Sequence, residues 1–321
     1  MITPASSPFR HVDPVTLMRI KSLELRARHV VEGFFTGLHR SPYHGFSVEF
    51  TEYRQYVPGD DPRYLDWRLA ARSDRDYIKR FEDETNLCCQ FILDASRSMA
   101  YGSLSHTKID YARTLVATLA WFLSQQRDAV GLATFADRLV EYVPPRHRAG
   151  HFRRLLVQLE RAGDAGATAL GPPLEEVADR FTRRGMVVVV SDLLATLDDW
   201  ETALGAVVGR GHEVLVLQVL DPAEIEFPFA DPAWFENVES GQRMYVDPAA
   251  ARASYLRKFA AHDGRVRALC ERLGVVHRRL RTDEPLEHAL FELLQLRQHA
   301  GRRVVRRRAA GNPAAAGGAR P

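Results

Sequence analysis

Apolar residues recur along this chain in two rhythms, and the rhythm changes element by element. Cys88 to Leu93 is a short apolar run broken only by Gln90, as expected of a strand buried on both faces of a parallel sheet. Ala129 to Phe135, Met186 to Ser191 and Glu213 to Leu220 read the same way, with a further strand at 275–280. Leu139 to Val143 is a shorter run, placed to pair as an antiparallel edge. Between the strands the period becomes helical. From Thr107 to Gln125 the residues Ala112, Leu115, Val116, Leu119, Phe122 and Leu123 fall on one stripe, with Thr107 and Asp110 as a capping pair. Helices are also expected at Val15 to Phe35, 150–161, 171–183, 198–209, 249–273 and 285–297.

Strand and helix alternating in this way predict an α/β fold, a mostly parallel sheet with helices on both faces. That body should occupy 87–297, with a loop-rich insert at 221–248. Before it, 1–86 combines the first helix with a charged, aromatic, Pro- and Gly-containing stretch that suggests a small β-rich segment. After it, 298–321 turns to Arg, Ala, Gly and Pro, a composition that builds no core and is expected to be a disordered basic tail.

The strand at 88–93 ends in Asp94-Ala95-Ser96-Arg97-Ser98. Ligands of open α/β sheets bind beyond the carboxyl ends of the strands, so Asp94 is expected to face a crevice. If the chain stays near-extended, Asp94, Ser96 and Ser98 project to one side and offer one carboxylate and two hydroxyls. Such oxygens suit a hard divalent cation such as Mg²⁺, which takes about six oxygen ligands. Two later segments can add to the set. The Gly-rich turn Gly163 to Leu170 presents Thr168, and the strand from Met186 ends at Ser191-Asp192. The competing reading of Asp94, Ser96 and Ser98 is a polar turn whose side chains merely cap a helix.

The five oxygens of Asp94, Ser96, Ser98, Thr168 and Asp192 resemble the metal-ion-dependent adhesion site of von Willebrand factor A (VWA) domains. The resemblance implies one Mg²⁺ or Mn²⁺ ion held by these residues, with the last coordination position left for a carboxylate of a partner protein. It also implies a VWA-like, Rossmann-like sheet. Ser191-Asp192-Leu193 stands where many members have Thr-Asp-Gly; the carboxylate is kept.

A second resemblance involves Ser41-Pro42-Tyr43-His44-Gly45, the run from Arg54 to Arg63, Asp66-Trp67 and Ala71-Arg72. These look like the signature block of the bacterial proteins called domain of unknown function 58, and Asp221 to Pro228 fits as well. The similarity runs over roughly residues 33 to 295. It implies a VWA-like domain behind the block and a MoxR-type AAA+ ATPase, or a client of one, as partner. Arg54, Asp60, Asp61, Arg63, Asp66, Trp67 and Arg72 are then the candidates for a contact surface, and the competing reading of the same charges is a salt-bridged brace.

Composition narrows the alternatives. With 44 Lys and Arg against 41 Asp and Glu, the net charge of +3 gives no general pull toward nucleic acid. Cys88 and Cys89 are adjacent and Cys270 is remote, which suggests buried thiols in a reducing compartment. The longest apolar runs fall well short of the roughly 20 residues that span a bilayer. A cytoplasmic protein without stable membrane insertion is therefore expected.

Enzyme readings meet specific obstacles. An aspartyl phosphatase needs a second acid two residues after the first, and Ser96 stands there. The chain has no Gly-x-Ser-x-Gly elbow, no His-Glu-x-x-His and no phosphate loop ending in Gly-Lys. Hydroxyl-rich ligation leaves a cation electron-poor, which favours capture of an external carboxylate. The expectation is a non-enzymatic, metal-dependent interaction module. A hydrolase using the same ion, and a scaffold with a vestigial site, are the alternatives.

Overall fold

The computed structural model describes residues 12–40, 52–55, 77–80, 87–163, 169–195, 197–238 and 241–296. The chain divides into two units, one of Met1–Phe9 with Thr36–Asn86, the other of Arg10–Phe35 with Leu87–Pro321. In the first, strands β1 (Glu52–Gln55) and β2 (Tyr77–Arg80) form an antiparallel pair, with Arg54 opposite Ile78.

The second unit is built on a six-stranded sheet. Its strands are β3 (Cys88–Asp94), β4 (Ala129–Phe135), β5 (Leu139–Arg146), β6 (Met186–Ser191), β7 (Glu213–Leu220) and β10 (Val276–Arg281), in the spatial order β10-β7-β6-β3-β4-β5. Every pairing is parallel except β4 with β5, the antiparallel edge that the sequence predicts. The centre is buried on both faces, which is why these strands read as unbroken apolar runs.

Helices cover both faces. On one side, α3 (Lys108–Gln125) starts at a capping box in which Thr107 and Asp110 bond reciprocally. Two further helices lie in this layer: α2 (Leu23–Arg40), which buries Leu23, Ala27, Val30, Val31 and Phe34 at helical spacing, and α4 (His151–Arg161). Phe34 and Phe35 both meet the ring of Phe122, and the Arg28 guanidinium sits 4.6 Å from the Trp121 ring centroid. On the other side, Ile92, Val187, Val189, Val214 and Val216 pack with Leu174 and Val177 of α5 (Gly171–Arg180), Trp200 and Leu204 of α6 (Asp198–Gly209), and Val266 and Cys270 of α8 (Pro248–Leu273). The last helix, α9, spans 287–296 within the described residues.

Two expectations are corrected. The single helix expected over Val15 to Phe35 is two, α1 (Pro14–Met18) and α2, because Ser22 restarts the helix by accepting a hydrogen bond from the Leu25 amide. The insert at 221–248 is more ordered than a loop. It holds α7 (Pro222–Glu226) and a hairpin of β8 (Ala233–Glu236) and β9 (Arg243–Val246), seated on an aromatic cluster of Phe227, Phe229, Phe235 and Tyr255. All three cysteines are buried free thiols.

Candidate functional site

Chain order places β4 on one side of β3 and β6 on the other, so the order in which strands are added reverses between β3 and β6, which pair in parallel. At such a switch point the loops leaving two neighbouring strands part toward opposite faces and open a crevice. Asp94 ends β3, and Ser191-Asp192 ends β6 beside it. The register makes them neighbours: Leu93 pairs with Val190.

Asp94 is fully buried. Its Oδ1 accepts from the Ser96 amide at 3.0 Å, and its Oδ2 accepts from the Ser191 hydroxyl at 2.6 Å. Burial and the neighbouring Asp192 charge push the Asp94 carboxyl up to about 7, against the pull of those two donors. Ser96 keeps extended geometry, but the chain then turns into a 3₁₀ helix at Arg97–Ala100. The near-extended course expected through Ser98 is therefore wrong. It is the turn that brings Ser98 Oγ within 3.1 Å of Ser96 Oγ.

Asp192 is buried and held by the turn that follows β6. Its Oδ1 accepts from the Leu194 amide at 3.2 Å, and the Ser191 hydroxyl accepts from the Leu193 amide at 3.0 Å. Leu193 adopts φ 55° in this turn, left-handed backbone that a glycine would enter freely. Its carbonyl accepts from His262 Nε2 at 2.6 Å.

Three residues that sequence reasoning did not assign complete the surroundings. Lys108, the first residue of α3, is fully buried and donates to Asp192 Oδ2 at 2.8 Å and to Glu224 Oε1 at 2.6 Å. Burial by itself would lower its amine, but Asp192 and Glu224 outweigh that and hold it above its ordinary value. Glu224, at the third position of α7, also caps that helix through its bond from the Asp221 amide. Asp221 in turn accepts from the Ser103 hydroxyl at 2.5 Å and the Ser103 amide at 2.8 Å. The signal for Lys108 was present: it continues the buried stripe of α3 backward from Ala112 and Leu115.

Of the predicted ligands, Asp94, Ser96, Ser98 and Asp192 are thus gathered at one sheet edge, while Thr168 lies outside the described residues. Arg54 lies on β1; Asp60, Asp61, Arg63, Asp66, Trp67 and Arg72 lie outside the described residues. Two carboxylates and two hydroxyls are donors of the kind a hard divalent ion takes, although among the described residues no group of three or more His, Cys, Asp or Glu is placed to hold one. Two buried carboxylates stand close enough that one raises the pKa of the other, beside two hydroxyls and with no cation bonded to Asp94 among the described residues. Lys108 already places one positive charge on Asp192, but Asp94, Asp192 and Glu224 together outnumber it, and burying the unbalanced charge costs energy. A bound cation would balance the remaining negative charge.

Among curated proteins, the chain is 29% identical over 276 residues to the uncharacterized protein Rv1480 of Mycobacterium tuberculosis, covering 84% of this chain and 86% of that one. Among solved structures it is similar to an aerotolerance-related membrane protein from Bacteroides fragilis, at 16% identity and a TM-score of 0.45, covering 64% of this chain and 96% of that one. The SpRpn10 VWA domain is another, at 14% identity and a TM-score of 0.32, covering 41% of this chain and 75% of that one. No helix among the described residues of the present chain is long and apolar enough to cross a membrane. The family model described as protein of unknown function DUF58 matches residues 52–265, and the chain belongs to that family.

Proposed function

We propose that this protein is a non-enzymatic protein-binding module whose VWA-like domain holds one Mg²⁺ or Mn²⁺ ion on Asp94, Ser96, Ser98, Thr168 and Asp192 and through it captures an acidic residue of a partner. The observation that carries this reading is the meeting of Asp94 and Asp192 at the switch point, with Ser96 and Ser98 beside them. The partner, on the family resemblance, is a MoxR-type AAA+ ATPase or a client that it remodels, and the meeting takes place in the cytoplasm.

The test is affinity capture from the native cell with the full chain as bait, in Mg²⁺ and in chelator, beside Asp94→Asn. An AAA+ ATPase or its client should arrive with the wild-type bait in Mg²⁺ and be lost in both other arms. Equal capture in all three would overturn metal-mediated binding. Metal-dependent turnover of phosphate esters or peptides by the pure protein would overturn the non-enzymatic reading.

A further inference from the structure

Lys108 stands at an unfavourable place for a cation. The N-terminal turn of a helix carries partial positive charge, and a lysine there is destabilising unless carboxylates surround it. In this chain they do: Asp192 approaches from the end of β6 and Glu224 from α7, while the Tyr101 ring lies 5.9 Å from the ammonium. The Tyr255 hydroxyl, from α8, closes the far side by donating to the Glu224 carbonyl at 2.6 Å.

Lys108 already bonds one of the two Asp192 oxygens, Oδ2, so an ion drawing on this carboxylate shares it with the ammonium. The carboxylate's other oxygen is engaged by the Leu194 amide. An ion drawing on Asp192 therefore meets a tethered ammonium already in place, and the two cations repel each other at this range. Glu224 gives the ammonium somewhere else to go, since it is bonded there at the same time and at a shorter distance.

We propose that Lys108 is a built-in competitor for the divalent ion: it neutralises Asp192 when no ion is bound, moves its weight onto Glu224 when one binds, and so sets the affinity of the site. The inference rests on the metal site proposed above. It makes Lys108 and Glu224 affinity-setting residues that touch no partner. It also gives two substitutions opposite signs. Lys108→Met leaves Asp192 and Glu224 without their cation, so divalent binding should tighten. Glu224→Gln leaves Asp192 as the only carboxylate bonded to Lys108, so divalent binding should weaken.

The experiment is calorimetric titration of the full chain with MgCl₂ and with MnCl₂, for wild type, Lys108→Met, Glu224→Gln and Asp94→Asn, with melting temperature read in parallel. Expected are a gain of about tenfold or more for Lys108→Met and a loss of several-fold for Glu224→Gln. Where Lys108→Met is unfolded without metal, recovery of its melting transition on adding Mg²⁺ supports the proposal, and Glu224→Gln still tests it independently. Wild-type binding that disappears in Asp94→Asn but is unchanged in both Lys108→Met and Glu224→Gln would overturn the competitor role and leave the metal site standing. No binding by wild type or by Lys108→Met would overturn the metal site itself.

Discussion

Ser191 Oγ donates a 2.6 Å hydrogen bond to Asp94 Oδ2, tying the ends of β6 and β3 together across the switch point. The same hydroxyl accepts from the Leu193 amide, so one side chain fixes both the buried acid and the turn that carries Asp192. Removing it strips Asp94 of one of two donors and leaves the Leu193 amide without its partner. Ser191→Ala should cost about 1–3 kcal/mol, the range for orphaning buried polar groups, measured as a lower urea midpoint at an unchanged slope.

Leu193 sets a backbone cost against a packing gain. Its φ of 55° is strained for a side-chain-bearing residue by about 1–2 kcal/mol, and a glycine would release that. The side chain, however, is fully buried in the core between the sheet and α5, α6 and α8. Emptying such a site costs about 2–5 kcal/mol for truncation to alanine alone, and glycine adds backbone entropy. Leu193→Gly should therefore lower stability by about 2 kcal/mol or more, checked by denaturant melts. A more stable variant would show that strain outweighs packing at this turn.

Gly102 lies in the segment between the 3₁₀ turn and the capping box of α3. A β-carbon there would run into the His106 carbonyl oxygen and come within 2.8 Å of the Thr107 α-carbon, both backbone atoms. Relief requires the loop that caps α3 and places Lys108 to move. Gly102→Ala should destabilise by about 1–3 kcal/mol, as overpacking does, and should weaken any Mg²⁺-induced rise in melting temperature.

His151 and His212 are both buried, and burial lowers the pKa of each ring below the ordinary 6.5. His151 bonds the Val130 carbonyl at 2.7 Å, and His212 stacks on Phe181 with centroids 4.7 Å apart. Below about pH 6.5 the unfolded chain takes up protons that the folded chain refuses, so stability is full above that pH and falls on acidification. Asp94, raised to about 7, contributes the opposite slope, because the folded chain holds its proton where the unfolded chain has lost it. The comparison of parent with His212→Gln cancels that term. The variant should lose less stability between pH 7.5 and 5.5, by at most about 1.4 kcal/mol per pH unit for the one ring.

The strands and helices of the large unit were legible in sequence because a parallel sheet covered on both faces writes itself as short apolar runs separated by amphipathic stripes. Val187 to Val190 and the stripe from Ala112 to Leu123 could be little else. Helix ends depended on single polar residues, and there Thr107 was legible while Ser22, inside an otherwise helical pattern, was missed. Asp94, Ser96, Ser98 and Asp192 were nameable because chemistry-bearing residues at strand ends stand out against apolar runs.

Which groups stand beside them follows from the packing of distant elements. Strand order, set by crossovers rather than by any local signal, makes β6 the neighbour of β3 and so brings Ser191 onto Asp94. The fold of the insert carries Glu224 back to the head of α3, where Lys108 meets it and Asp192 together. The residues of that triad lie 84 and 116 positions from the lysine, and no periodicity or composition relates them. The elements and the oxygens at their ends could be read along the chain, because both are local properties. The charge balance around those oxygens was decided by packing, because it depends on which distant elements share one buried edge of the sheet.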